Sequence, residues 1–192
     1  MTYSYIVEGT IHRKKVRIIL TYIGCSKEKK GENFEANREM QRRIERYMEV
    51  DPEVLLICLG DINGRLKALE PHIETDSNGK MVEEWTEKFS LHHLNQSEKC
   101  QGVYTFGKEG GKRSAIDHIL VNNRLMENFK GMVVDENKEE LNISDHNLVK
   151  AWFNIGGEIK SSWKKPSYET IQYYIKDVES MKEMEENLVQ KI

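Results

Sequence analysis

Six consecutive apolar residues, Val54 to Leu59 (VLLICL), interrupt a chain of 192 residues of which 32% are charged. Six residues is the length of a strand, and a strand that is apolar at every position must be covered on both faces. Other elements therefore have to lie on either side of it. With hydrophobic residues limited to 38%, the helices that cover it should be strongly amphipathic. The run ends at Gly60 and passes directly into Asp61-Ile62-Asn63, so polar groups stand where a buried strand emerges.

The flanking segments supply candidates for that cover. Tyr3 to Thr10 and Lys15 to Gly24 are rich in β-branched and aromatic residues, and the polar stretch between them predicts a hairpin. Phe34 to Glu49 reads as a helix with Phe34, Met40, Ile44, Tyr47 and Met48 on one stripe, stopped by Asp51-Pro52. Asp76 to Gly79 reads as a turn and Val82 to Phe89 as a helix. Val103 to Phe106 and Ala115 to Val121 read as strands around the glycine-rich basic loop GKEGGKR, and Asn147 to Asn154 as the last strand. Beyond Gly156-Gly157 a linker leads into a polar segment with one apolar stripe, Ile171, Tyr174, Ile175, Val178, Met181 and Leu188. This predicts a domain over 1–156 followed by a linker and amphipathic helical tail over 157–192.

Charge and cysteine usage remove several classes. The net charge of −3 gives no global basic footprint, so nucleic-acid contact would have to come from a local patch. Cys25, Cys58 and Cys100 are odd in number and lack CxxC spacing, which suits a reducing, intracellular setting in nucleus or cytoplasm. No apolar stretch approaches the ~20 residues that cross a bilayer, the N-terminus has no signal-peptide pattern, and no membrane partner is expected.

Three polar clusters are candidates for chemistry, although singly the first also reads as a polar strand-to-turn exit and the third as ordinary loop residues. At extended spacing Asp61 and Asn63 would point the same way at the carboxyl end of the buried strand. In Ser114-Ala115-Ile116-Asp117-His118-Ile119-Leu120-Val121, alternation places Asp117 on the face of Ala115, Ile119 and Val121. A carboxylate on an apolar face costs several kcal/mol unless it is paired, so Asp117 needs a partner; His118, on the other face, reads as structural. The third cluster is Ser144-Asp145-His146. Phosphodiester cleavage needs charge offset on the phosphoryl oxygens, a group that positions water, and a donor to the transition state. Asp61, Asn63 and Asp145 supply hard oxygen atoms suited to magnesium, and His146 held by Asp117 can donate to a phosphate oxygen. A serine hydrolase is disfavoured by the lack of a GxSxG elbow, and zinc by the lack of HExxH.

LLICLGDINGR, SAIDHILV and ISDHNLVKAWF resemble, in order and rough spacing, the motif set of the endonuclease/exonuclease/phosphatase superfamily. The flavour is that of endonuclease domains of non-LTR retrotransposons, and the resemblance runs from about residue 3 to 156. It implies an α/β fold, a two-sheet β-sandwich flanked by helices, with a phosphodiesterase site at one rim that uses magnesium or manganese. By motif, Asp61 would position the attacking water and Asn63 would contact phosphate. His146, oriented by Asp117, would stabilise the phosphoryl oxygens, Asp145 would lie near the metal, and Tyr22 would hydrogen-bond the phosphate. The basic loop Lys108, Lys112 and Arg113 reads either as a contact to the phosphate backbone or as a solvated hairpin tip.

Two departures qualify the likeness. Ile23-Gly24-Cys25 follow Tyr22 where the family usually has proline and then often asparagine. The family's first strands, one bearing an asparagine and the next a glutamate that is the principal metal ligand, have no counterpart here. The chain thus resembles the last two-thirds of the domain, incomplete at the N-terminus, with metal binding weakened. The expected activity is a retroelement-type DNA endonuclease whose partner is DNA or another phosphodiester; a reverse transcriptase segment would belong to a parent protein. The alternatives are a non-catalytic remnant and a phosphatase acting on a lipid or small phosphoester.

Overall fold

A computed structural model describes residues 3–25, 32–49, 53–107, 111–140 and 143–156. The expected tail over 157–192, Asp51-Pro52 and Lys108 lie outside the described residues.

The N-terminal hairpin is β1 (Tyr3–Ile11) and β2 (Lys14–Tyr22), joined through His12 and Arg13, both at positive φ. Helix α1 (Glu32–Met48) follows, then β3 (Leu55–Asp61), α2 (Ser77–Lys88), β4 (Leu91–His93) and a short 3₁₀ turn, Leu94–Gln96. Next come β5 (Cys100–Gln101), β6 (Phe106–Gly107), β7 (Arg113–Ser114), β8 (Asp117–Asn122), α3 (Asn123–Met126), β9 (Phe129–Val134) and β10 (Val149–Phe153). The larger sheet has the order β1-β2-β3-β8-β4, the smaller one β10-β9-β5, and β6 and β7 form a separate two-stranded ladder.

Alternation along β3 explains the layering. Leu56 and Cys58 join Ile19 and Leu120 in a core with Ile44 and Met48 of α1 and Met81, Val82 and Trp85 of α2. Leu55, Ile57 and Leu59 face the other way, into a second core with Ile119 and Val121 of β8 and Phe129, Met132 and Val134 of β9. The chain is thus an α/β fold with two sheets face to face and helices on the outer face of the larger one. The unbroken apolar run is the strand that serves both cores.

Several boundaries differ from the sequence reading. Val103, Tyr104 and Thr105 are not in a strand; the strand begins at Phe106, because Tyr104 and Val103 instead turn their N–H groups onto the Glu136 carboxylate (3.0 and 2.5 Å). Ala115 and Ile116 likewise precede β8. Asp76, read as part of a turn, caps α2, which starts at Ser77 and takes in Gly79. The last strand covers only Val149–Phe153, and β9 was not anticipated.

Candidate active site

The site begins with a backbone necessity. Gly60 sits at φ +146°, and a Cβ there would lie 1.9 Å from the Thr21 carbonyl oxygen. Only glycine lets β2 run this close to the end of β3, which puts Asp61 level with Tyr22. The parallel register pairs Tyr22 with Asp61, the antiparallel one pairs Asp61 with Asp117, and Tyr3 faces Tyr22. Tyr3, Tyr22, Asp61 and Asp117 therefore form one row across four strands, at the end of the seam between the sheets.

Asp61 and Asp117 oppose each other as like charges, an arrangement that destabilises a strand pair. Burial raises the Asp61 pKa first, and the neighbouring Asp117 carboxylate raises it further. The compensating partner is His146, which arrives from the connection between β9 and β10. Its Nδ1 donates to Asp117 Oδ2 at 2.9 Å, and its Nε2 faces Asp61 Oδ2 at 3.9 Å, too far for a direct hydrogen bond. That bond to Asp117 leads the causes that raise the His146 pKa, with Asp61 and Asp145 adding to it. The expected partner of Asp117 is thus present, and His118 on the opposite face is buried against His93 and the Gly64 carbonyl.

The imidazole is held from several sides. Phe106 meets the ring edge-on at 5.1 Å, and the His146 N–H donates to Ser144 Oγ at 3.0 Å. Next in the chain, the Asn147 N–H donates to the Thr105 carbonyl (2.7 Å) and its amide to that of Tyr104 (2.6 Å). Thr105, completely buried, accepts through one hydroxyl from the N–H groups of Ile116 and Asp117, and Asn95 donates to the Asp117 carbonyl (3.0 Å). Glu70, also fully buried, pairs with Arg65 at 2.8 Å and accepts from the Ala115 N–H. Of these supports, Ser144 belongs to a cluster the sequence already marked, whereas Thr105, Asn95 and Glu70 were not singled out: none sits in a local pattern, and only partners from distant segments reveal their work.

The remaining expected residues fall less simply. Asn63 meets Asp61 through a turn and not through extended spacing: it lies at φ 51°, its N–H donates to Asp61 Oδ1 (3.0 Å) and its amide to the Ile23 carbonyl (3.0 Å), and its backbone and side chain both act to lower the Asp61 pKa. The extended spacing assumed for the pair fails because the chain turns sharply after Asp61, and Asn63 braces both Asp61 and the end of β2. The Tyr22 ring stacks on Tyr3 at 5.0 Å. Asp145 is half-buried beside His146, its carbonyl accepting from the Gly107 N–H. Lys112 and Arg113 are exposed, and Arg113 lies 3.5 Å from Glu136; the hairpin that carries them abuts His146 through a bridge from Phe106.

A metal is implied by this chemistry, and the donors can be tested against it. Among the described residues no group of three or more His, Cys, Asp or Glu side chains converges to hold an ion. Asp145 stands beside the His146 imidazole, and Asp117 is committed to that same ring. The set does not fit a preformed metal centre. No helix of the described residues is long and apolar enough to cross a membrane.

Residues 16–150 match the family described as endonuclease-reverse transcriptase. Among solved structures, the chain is similar to the endonuclease domain of TRAS1, a telomere-specific non-LTR retrotransposon, at 24% identity and a TM-score of 0.60, covering 80% of this chain and 64% of that one. A 3′ phosphatase, NExo, from Neisseria, bound to a product DNA hairpin, aligns at 21% identity and a TM-score of 0.58, covering 77% and 64%. An endonuclease/exonuclease/phosphatase family protein from Leptotrichia buccalis aligns at 17% and 0.53, covering 77% and 52%. The chain spans less than two-thirds of the length of each of these structures. No curated protein matches it. Matched over most of its length and carrying the sandwich with its carboxylates and histidine at one rim, the chain belongs to the endonuclease-reverse transcriptase family, within the endonuclease/exonuclease/phosphatase superfamily.

Proposed function

We propose that the chain is a phosphodiesterase acting on DNA, a retroelement-type endonuclease in a nuclear or cytoplasmic setting, with weak affinity for magnesium or manganese. The observation that carries this reading is the gap between Asp61 Oδ2 and His146 Nε2, 3.9 Å wide, walled by a carboxylate and by an imidazole that a second carboxylate holds. Similarity to structures that handle DNA supports the substrate class.

Water attacks phosphorus in line with the leaving oxygen; the new P–O bond forms as the opposite one breaks. Asp61, with Oδ1 occupied by the Asn63 N–H, uses Oδ2 to take the proton of the attacking water. His146, protonated and anchored through Nδ1, donates from Nε2 to a phosphoryl oxygen as charge develops there. Tyr22, level with Asp61, is the further donor to phosphate, and Lys112 and Arg113 contact the strand backbone. A divalent cation, if bound, would supply charge offset on the phosphoryl oxygens; Asp145 is the carboxylate that would help hold it, and one carboxylate with substrate phosphate would do so weakly.

Supercoiled plasmid nicking by the purified chain tests this. Slow nicking that rises with magnesium, stops with chelator, and drops ~10²–10⁴-fold in Asp61→Ala and similarly in His146→Ala is the expected result. Nicking indifferent to both substitutions would end the reading. Because the described residues lack a preformed metal centre, a non-catalytic remnant is the second reading; it would bind DNA and leave it uncut at any metal concentration.

A further inference from the structure

β1 is the outer strand of the larger sheet, bonded to β2 on one side and to no described strand on the other. Exposed edges are templates for pairing, and proteins blunt them with short length, lysine, proline or a bulge. β1 uses none of these. It is nine residues long, YSYIVEGTI, and runs in unbroken register with β2 from Tyr3 to Ile11. Its one charge, Glu8, is taken up by Arg17 of β2 at 2.6 Å.

The same strand leaves core-type side chains uncovered. Tyr3, Tyr5, Val7 and Ile11 share one face and are 44%, 62%, 52% and 43% exposed, with Leu20 opposite Tyr5 at 40%. Over β3 and β8 this face is buried beneath the smaller sheet through Leu55, Ile119 and Val121. At β1 the apolar face runs beyond its cover.

We propose that β1 pairs antiparallel with β1 of a second copy of this chain, about a two-fold axis at Val7. That register is the one that pairs all nine residues: Tyr3 with Ile11, Ser4 with Thr10, Tyr5 with Gly9, Ile6 with Glu8, and Val7 with itself. Shifting the axis to Glu8 would set two carboxylates face to face; at Val7 no like charges meet. Tyr5 of one copy covers Gly9 of the other, where a Cβ would find nothing within 4 Å, so there is room for the ring over the glycine. The contact is isologous and closes on itself, joining two five-stranded sheets into one. One strand per copy buries an area near the low end for specific pairs, about 1,200 Å², so the dimer is concentration-dependent.

Sedimentation velocity of the full chain over a concentration series reads this directly. The expected result is a shift from 22.5 kDa towards twice that mass, weakened at least about tenfold by Val7→Lys, which brings two like charges together at the axis. Trp152→Lys, at an exposed residue of β10, should leave the shift intact. Val7 faces solvent in the monomer, and a thermal melt of Val7→Lys matching the parent shows that it folds. If Val7→Lys fails to fold, hydrogen exchange in the parent decides: β1 amides protected increasingly with concentration support the pairing. A chain monomeric throughout, one that forms open aggregates instead of a dimer, or a dimer indifferent to Val7→Lys would overturn the proposal, as would β1 exchange that ignores concentration. The outcome is independent of the nicking assay.

Discussion

Asp117 touches both halves of the site, and its two effects run in the same direction. Through His146 Nδ1 it raises the imidazole pKa, and across the β3–β8 register it raises that of Asp61. For a base at Asp61 and a donor at His146, activity falls as pH drops through the raised Asp61 pKa and falls again as pH climbs through the raised His146 pKa. Asp117→Asn keeps an acceptor for Nδ1–H but removes the charge. Both limbs of the pH–rate profile should then move towards acid, with a lower maximum. An alkaline limb that stays in place would show that His146 is not the donor. The sequence already demanded a partner for Asp117, since a lone carboxylate cannot sit on an apolar strand face; it did not say that Asp61 would stand directly opposite.

Helix α2 shows how an element is locked to the site. Asp76 Oδ1 accepts from the Gly79 N–H (2.8 Å) and the Arg65 N–H (3.1 Å), while the Asp76 N–H donates to the Arg65 carbonyl. One side chain therefore caps the helix and fastens the segment that leaves Asp61 and Asn63. Gly79 disguised this cap as a turn in the sequence. It is there because a Cβ would meet the Arg65 carbonyl oxygen at 2.2 Å. Asp76→Ala should cost about 1–2 kcal/mol, the upper part of the range for a lost cap, read as a lower urea midpoint with an unchanged slope. Gly79→Ala, which gains about 1 kcal/mol in an open helix, should destabilise instead; a gain in stability would mean that the two backbones are not in contact. β9 escaped the sequence reading although Phe129, Met132 and Val134 are buried and Lys130 is exposed, because Gly131 and the polar residues on either side suggest a loop.

For the molecule as a whole, the buried pair His93–His118 ties stability to pH. Gly64 offers only a carbonyl, so His118 Nε2 donates to it (2.7 Å); His118 Nδ1 must then accept from His93 Nε2 (3.0 Å). That leaves the buried His93 Nδ1 without a partner. Burial holds both pKa values below the usual histidine range. A histidine whose folded pKa is depressed favours folding fully above its unfolded value, about 6.5, and loses that advantage as pH falls below it. His146, with a raised pKa, works the other way and contributes least at alkaline pH. With two buried rings against one, the urea midpoint should drop between about pH 7 and about pH 5.5. His93→Gln, which keeps a donor for His118 but cannot titrate, should flatten that drop. A midpoint constant over this range would show that the pair is protonated in the folded chain.

What the sequence determined by itself was local: the doubly buried strand at Val54 to Leu59, the hairpin ahead of it, the faces of Asp117 and His118, and the motifs that mark the family. These follow from side-chain period and from the cost of burying charge, both readable within a few residues. Tertiary structure alone decided which residues stand opposite one another. The row Tyr3–Tyr22–Asp61–Asp117 comes from register between strands, the turn at Asn63 from hydrogen bonds to Asp61 and Ile23, and the clamp of Thr105, Asn95 and Glu70 from groups that meet only on folding. Pairing of this kind depends on long-range closure and on the space that Gly60 leaves for β2, and a period of two along one strand carries no record of its neighbour's register.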